Sequence, residues 1–233
     1  MALTAKNIID RASMIIQDLT NVRWPLSELV NWINDARREI AVVRPDIYSE
    51  VKSDFSCTSG AKQTLPTGGL RLMDVPRNAS GPAITVTNRG FLDQQNPAWQ
   101  QMTGVSTIKH FMVDERNPST FWVYPPASGA TLEIIYQKAP TDITEANYAT
   151  ASLPATGGLL TAYEELYGGA MVDYICYRAF SKDSEYAGNA QRALAHYQQF
   201  SNALGLGRKN DLTYSANLAN VGGVPSKQLA TGG

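Results

Sequence analysis

Hydrophobic positions recur with a helical period at both ends of this chain and with a period of two between them. Thr4 is suited to cap a first helix in which Ile8, Ile9, Ala12, Ile15, Ile16 and Leu19 form a broad apolar face, ended by Thr20-Asn21. Trp24-Pro25 opens a second helix, where proline in the first turn costs no hydrogen bond. Leu29, Ile33, Ala36, Ile40 and Val43 give its stripe, with Asn31, Asp35 and Arg38 on the wet side. Arg44-Pro45 stops it, because proline disfavours α geometry in the residue before it. Residues 161–204 predict two more helices, joined at Lys182-Asp183-Ser184. The earlier one opens on a Thr161/Glu164 capping box. It is apolar all round: Tyr163, Leu166, Tyr167, Ala170 and Tyr174 on one side, Val172, Ile175, Cys176 and Ala179 on the other. Such a helix belongs in the middle of a bundle. The later one carries a single stripe, from Tyr186 through Ala190, Ala193, Tyr197 and Phe200 to Leu204, and Gly205 suits a left-handed C-cap.

Between these ends the pattern predicts short strands at 49–57, 62–65, 70–75, 83–87, 107–113, 121–124 and 131–138, with glycine, proline and asparagine at the turns. The segment FLDQQNPAWQQM reads as a loop or single helical turn that exposes Trp99. Strands of this number and length predict a small antiparallel β-sandwich or barrel. The apolar faces of the terminal helices need partners, and each supplies the other. The expected fold is therefore α+β: a helical bundle from residues 1–46 and 161–204, a β domain of 47–138 inserted into it, and a connecting loop at 139–160, mobile or part of an interface. Residues 205–233 lose all periodicity and predict an extended tail, disordered alone or ordered on a partner.

Charge and chemistry narrow the function. The 233 residues carry 20 basic and 21 acidic side chains, a formal net charge of −1, which gives no pull toward nucleic acid or a membrane surface. The charged fraction of 18% lies below the roughly 25% of soluble domains, and Tyr (11) outnumbers Phe (6); both suit surface covered by other protein. Two cysteines, Cys57 and Cys176, make no disulfide framework, and Cys176 reads as a small buried hydrophobe. Lys6, Asp10 and Arg11 interrupt the first apolar residues, so no secretory signal or membrane span is expected. The two histidines, His110 and His196, lack the motif context of a metal site or a nucleophile and read as structural. No GxSxG, GxxxxGK[ST] or HExxH occurs. Leu153-Pro154-Ala155-Thr156-Gly157 matches a sortase-type string by coincidence, and Asn78-Ala79-Ser80 is a turn. No catalytic, cofactor or metal residues are expected.

Three stretches in order, VRWPLSELVNWINDARREIAVVRPD, DERNPSTFWVYPP and YRAFSKDSEYAGNAQRALAHYQQF followed by LG, resemble the head-to-tail adaptors of tailed bacteriophages, related in architecture to tail tubular protein A. The likeness spans residues 4–204. It implies a structural virion protein of the neck: a homo-oligomeric ring, typically of twelve copies, docked under the portal and above the tail nozzle or next tail ring, with DNA passing through without sequence-specific binding. It implies assembly in the host cytoplasm and neither enzyme activity nor a cofactor. Subunit contacts are then expected on helix faces left over by the bundle, at Trp24, Trp32, Arg37, Arg38, Lys182 and Asp183. Portal contact is expected from the tail, at Arg208, Lys209, Leu212 and Tyr214. A head-completion stopper or a tail-tube component is the neighbouring reading. A tail-associated hydrolase of cell-wall or capsule polymer, or a receptor-binding module, would be a different class.

Overall fold

The computed structural model describes residues 3–150 and 165–214, and its fold is α+β. Helix α1 (Ala5–Ile15) starts at Thr4 with a reciprocal capping box: Thr4 Oγ1 accepts the Asn7 N–H at 3.2 Å, and Asn7 Oδ1 accepts the Thr4 N–H at 3.0 Å. Helix α2 is Leu26–Val43, followed by a 3-10 turn at Pro45–Tyr48. Seven strands follow: β1 (Ser49–Ser56), β2 (Gly60–Thr64), β3 (Gly69–Asn78), β4 (Thr85–Val86), β5 (His110–Val113), β6 (Thr120–Ala127) and β7 (Thr131–Lys138). A short helix α3 (Arg89–Gln95) and a 3-10 turn (Trp99–Gln101) lie between β4 and β5. The chain returns to the helices with α4 (Gly168–Lys182) and α5 (Asn189–Tyr214).

The strands form a sandwich. One sheet has the order β1-β7-β3 and is antiparallel; the other runs β2-β6-β5-β4, antiparallel except for the parallel β4/β5 pair. Alternation along β6 and β7 sends Phe121, Val123, Leu132, Ile134 and Tyr136 into the core between the sheets. The intervening β6 residue Trp122 is buried too, with Met112, Leu92 and Trp99 in a second core on the outer face of the four-stranded sheet. Here α3 and its following turn act as a cover. Trp99 is thus 0% exposed rather than displayed, and its indole N–H donates to Asp93 at 2.7 Å.

In the helical lobe α4 is central, with α1 and α2 against it on one side and α5 on another. Ile8, Ile33, Met171, Ile175, Cys176 and Phe200 meet in its core. Of the apolar residues expected to bury α4 all round, Tyr163 lies outside the described residues, Leu166 just before the helix is 74% exposed, and the others named are buried. The Thr161/Glu164 capping box lies outside the described residues. Helix α1 stops sooner than its apolar stripe: Gln17 takes a left-handed φ of 58°, so Leu19 leaves the face it was expected to join and is 70% exposed. Helix α5 runs through Gly205, which has no positive φ, instead of capping there. Its last ten residues carry it about 15 Å past Leu204.

The lobes meet where α2 ends. Arg44 forks onto Asp46 at 3.0 and 2.6 Å, donates to the Tyr167 hydroxyl and lies over the Tyr167 ring. Gln137 of β7 donates to the buried Ala41 carbonyl at 2.8 Å. Residues 139–150 then cross back over α1 and α2 as a strap. Ile143 enters the helical core, Asn34 pairs with its backbone, Arg37 donates to the Thr141 carbonyl, and Lys6 N–H donates to the Tyr148 carbonyl at 3.1 Å.

Candidate assembly interface

Among the described residues no group of three His, Cys, Asp or Glu side chains is placed to hold a metal ion, and no helix is long and apolar enough to cross a membrane. Both histidines are tied into structure. His110 Nδ1 is 2.7 Å from Thr85 Oγ1, and His196 Nδ1 is 2.8 Å from Asp173 Oδ1 while its ring stacks on Phe180. Burial pushes both the Cys57 and Cys176 thiols up to about 12, so neither is a nucleophile at neutral pH.

The six helix-face positions expected at subunit contacts divide in two. Trp24, Trp32 and Arg37 are 6%, 7% and 2% exposed, so they face the chain's own interior and leave a neighbour almost nothing to touch. The two indoles pack together with ring centroids 5.7 Å apart. Arg38, Lys182 and Asp183 do reach the surface, each with a partner in the same chain. Arg38 forks onto Asp142 at 2.7 and 2.8 Å, fixing the strap; Lys182 pairs with Glu28; Asp183 pairs with Arg23. The Arg23 guanidinium also lies over Trp24 and Tyr186, at 5.6 and 5.2 Å from their ring centres, which joins the α1–α2 turn to the α4–α5 turn. Of the expected portal contacts, Arg208, Lys209, Leu212 and Tyr214 fall on the last turns of α5, where only the backbone course is described.

Three surfaces stand out that the pattern of the sequence did not mark. Met14, Ile15, Leu19 and Val22 form an aliphatic ridge at the end of α1 and the turn after it, 66%, 47%, 70% and 82% exposed. A groove of about 380 Å³ opens between α4 and α5, lined by Tyr177, Ala193, Leu194 and Tyr197. A cleft of about 470 Å³ lies between α3 and the β5–β6 turn, with Arg89, Asp93, Glu115 and Arg116 on its walls. Its opposite charges are partly matched within the chain, since Arg89 sits 3.4 Å from Asp93 and lies over the Trp122 ring.

The sequence model of the SU10 adaptor protein family matches residues 3–221, nearly the whole chain and both of its lobes. The chain belongs to that family. As an SU10 adaptor it is a phage adaptor, a structural component of the virion. No curated protein matches the chain. In this adaptor the strap and the Gln137–Ala41 bond tie the β lobe to the helical lobe, and the Arg23 stack braces the helical lobe itself. Its ridge and groove remain open on the helical lobe.

Proposed function

We propose that this SU10 adaptor is the head-to-tail adaptor of a phage neck, similar to the tail tubular protein A type. Copies of it, twelve in the adaptors it resembles, close into a ring that joins the portal to the tail nozzle or next tail ring around the DNA channel. The observation that carries the reading is the family match across residues 3–221. Physical features support it. Twenty basic against 21 acidic side chains provide no strong attraction for phosphate, which suits a channel through which DNA must slide rather than bind. Exposed aliphatic and tyrosine side chains on the helical lobe suit contacts between proteins. We assign portal contact to Arg208, Lys209, Leu212 and Tyr214, which lie at the distal end of α5. Arg38, Lys182 and Asp183 would lie at the rims of subunit contacts, after assembly in the host cytoplasm.

The test is the mass of the purified protein with and without its cognate portal, by light scattering or native mass spectrometry. A ring-sized complex on the portal supports the proposal. A protein whose mass is indifferent to the portal overturns it.

A further inference from the structure

We propose that the aliphatic ridge of one copy seats in the α4–α5 groove of the next, and that Arg11 and Glu185 form an ion pair across this contact. The inference rests on the ring reading above and names the surfaces that would close the ring.

The ridge is built to stay where it is. Asp18, itself 8% exposed, accepts the N–H groups of Val22, Arg23 and Trp24 at 3.0, 2.9 and 2.8 Å and so fixes the turn that lifts Leu19 and Val22 into solvent. Gln17 and Asn21 flank that carboxylate with left-handed φ values of 58° and 54°. Backbone of this kind persists only where its surroundings over-determine it. Aliphatic groups held out on a rigid turn need little further ordering when they bind.

The groove is the matching concavity. Tyr177 and Tyr197 pack on each other with ring centres 5.0 Å apart and form one aromatic side of it, and the small side chains of Ala190 and Ala193 leave it open. Its position relative to the ridge follows from α4. Gly168 faces α1, since a Cβ there would strike Leu3 at 2.4 Å. At about 100° per residue, Tyr177 and Ser181 fall within about 40° of the opposite face of α4, and Ser184 lies just past its end. Ridge and groove are nevertheless level along the bundle, at the end where Arg23 meets Asp183. Unlike patches on opposite sides of one molecule, at one height, are what a heterologous contact that closes by rotation requires.

Charge agrees with this pairing. Arg11 precedes Met14 and Ile15 by one helical turn, and Glu185 follows Ser184 at the mouth of the groove. Both are exposed, and neither has an ion-pair partner among the described residues. Opposite charges beside complementary apolar patches set the register of a contact.

The test follows assembly of the full chain on its cognate portal by native mass spectrometry, with thermal melting to show that each variant is folded. Leu19→Asp and Val22→Asp, at exposed positions, should melt like the parent and raise the concentration needed for ring assembly by at least about tenfold. Arg11→Glu and Glu185→Arg should each weaken assembly several-fold, and the double variant should recover most of the loss. If the parent assembles and these variants assemble equally well, the docking is overturned while the ring reading stands. Rings that form normally but no longer hold the portal would make the ridge a portal surface and also overturn it. A parent chain that forms no ring would remove both readings.

Discussion

Asn34 and Ile143 exchange two hydrogen bonds: Asn34 Nδ2 donates to the Ile143 carbonyl at 2.8 Å, and Asn34 Oδ1 accepts the Ile143 N–H at 2.9 Å. A side-chain amide on α2 here does what a neighbouring strand would do for a peptide unit, and it does so in a buried place. The pair places Ile143 in the helical core and commits the whole return of the chain from the β lobe. Removing the amide leaves two buried backbone groups without partners. Asn34→Ala should therefore lower stability by roughly 2–4 kcal/mol, a Tm loss on the order of 5–15 °C for a chain of this size. Arg38→Ala, which breaks the exposed fork onto Asp142 and the exposed pair with Asp35, should cost under about 1 kcal/mol. Differential scanning calorimetry of the two variants separates them.

Trp99 holds α3 and its following turn on the outer face of the four-stranded sheet, in edge contact with Tyr124 at 6.1 Å. Trp99→Ala should cost about 3–5 kcal/mol through the cavity it opens. Because the core between the two sheets does not include this residue, the loss should appear first around α3, as faster hydrogen exchange in residues 89–101 than in β7.

Much of this organisation is legible in the sequence, for a physical reason that also marks where legibility ends. Strand β7 alternates because only one of its faces meets the main core, and its bounds, Thr131–Lys138, coincide with the alternating run. Strand β6 buries Phe121 and Trp122 in succession, one on each face, so its pattern does not reveal that a helix covers the outer side. A short loop-like segment such as FLDQQNPAWQQM predicts an exposed Trp99, and the structure buries it under that cover. The stripe of α1 continues in composition through Leu19, but the backbone turns at Gln17; a binding ridge and a core face look alike when the chain leaves the helix between them. Trp24 and Trp32 show the converse, since indoles that suited an interface are consumed by packing on each other and on α4. Gly205 was a stop signal on propensity alone. A single helical glycine costs only about 1 kcal/mol, and α5 passes through it.

Acid should loosen the β1/β7 ladder. The Lys138 ammonium, 2.8 Å from Glu50, holds that carboxyl below its usual range, opposed by partial burial and helped by the Tyr136 hydroxyl at 3.0 Å. A lowered carboxylate pKa contributes stability that is present above its unfolded value of 4.5 and is lost as pH falls through the lower folded value. Glu50→Gln should lose part of this dependence, flattening the decline of Tm below pH 4.5 while costing under about 1 kcal/mol at pH 7. An unchanged acid limb in Glu50→Gln would remove Glu50 from the account.

The two thiols shift the other way. With folded values of about 12 against an ordinary 9.0, both stay protonated in the native state after the unfolded chain has begun to ionise. Their contribution is complete below pH 9.0 and is lost as pH rises toward 12. At pH 8 the folded protein should therefore resist alkylation at Cys176, which is 0% exposed, and react there only on unfolding in urea. Rapid labelling of Cys176 in the folded chain would contradict the buried position of α4.

The central proposal concerns place: that this SU10 adaptor joins head to tail. It is tested most directly by cryo-electron microscopy of the phage neck, with the chain traced in the map by its β-sandwich and helical lobe. The account predicts a closed ring of this chain between portal and tail, each copy touching the next through its helical lobe. Density for the chain at another site in the particle, or a neck ring built from a different protein, would contradict it.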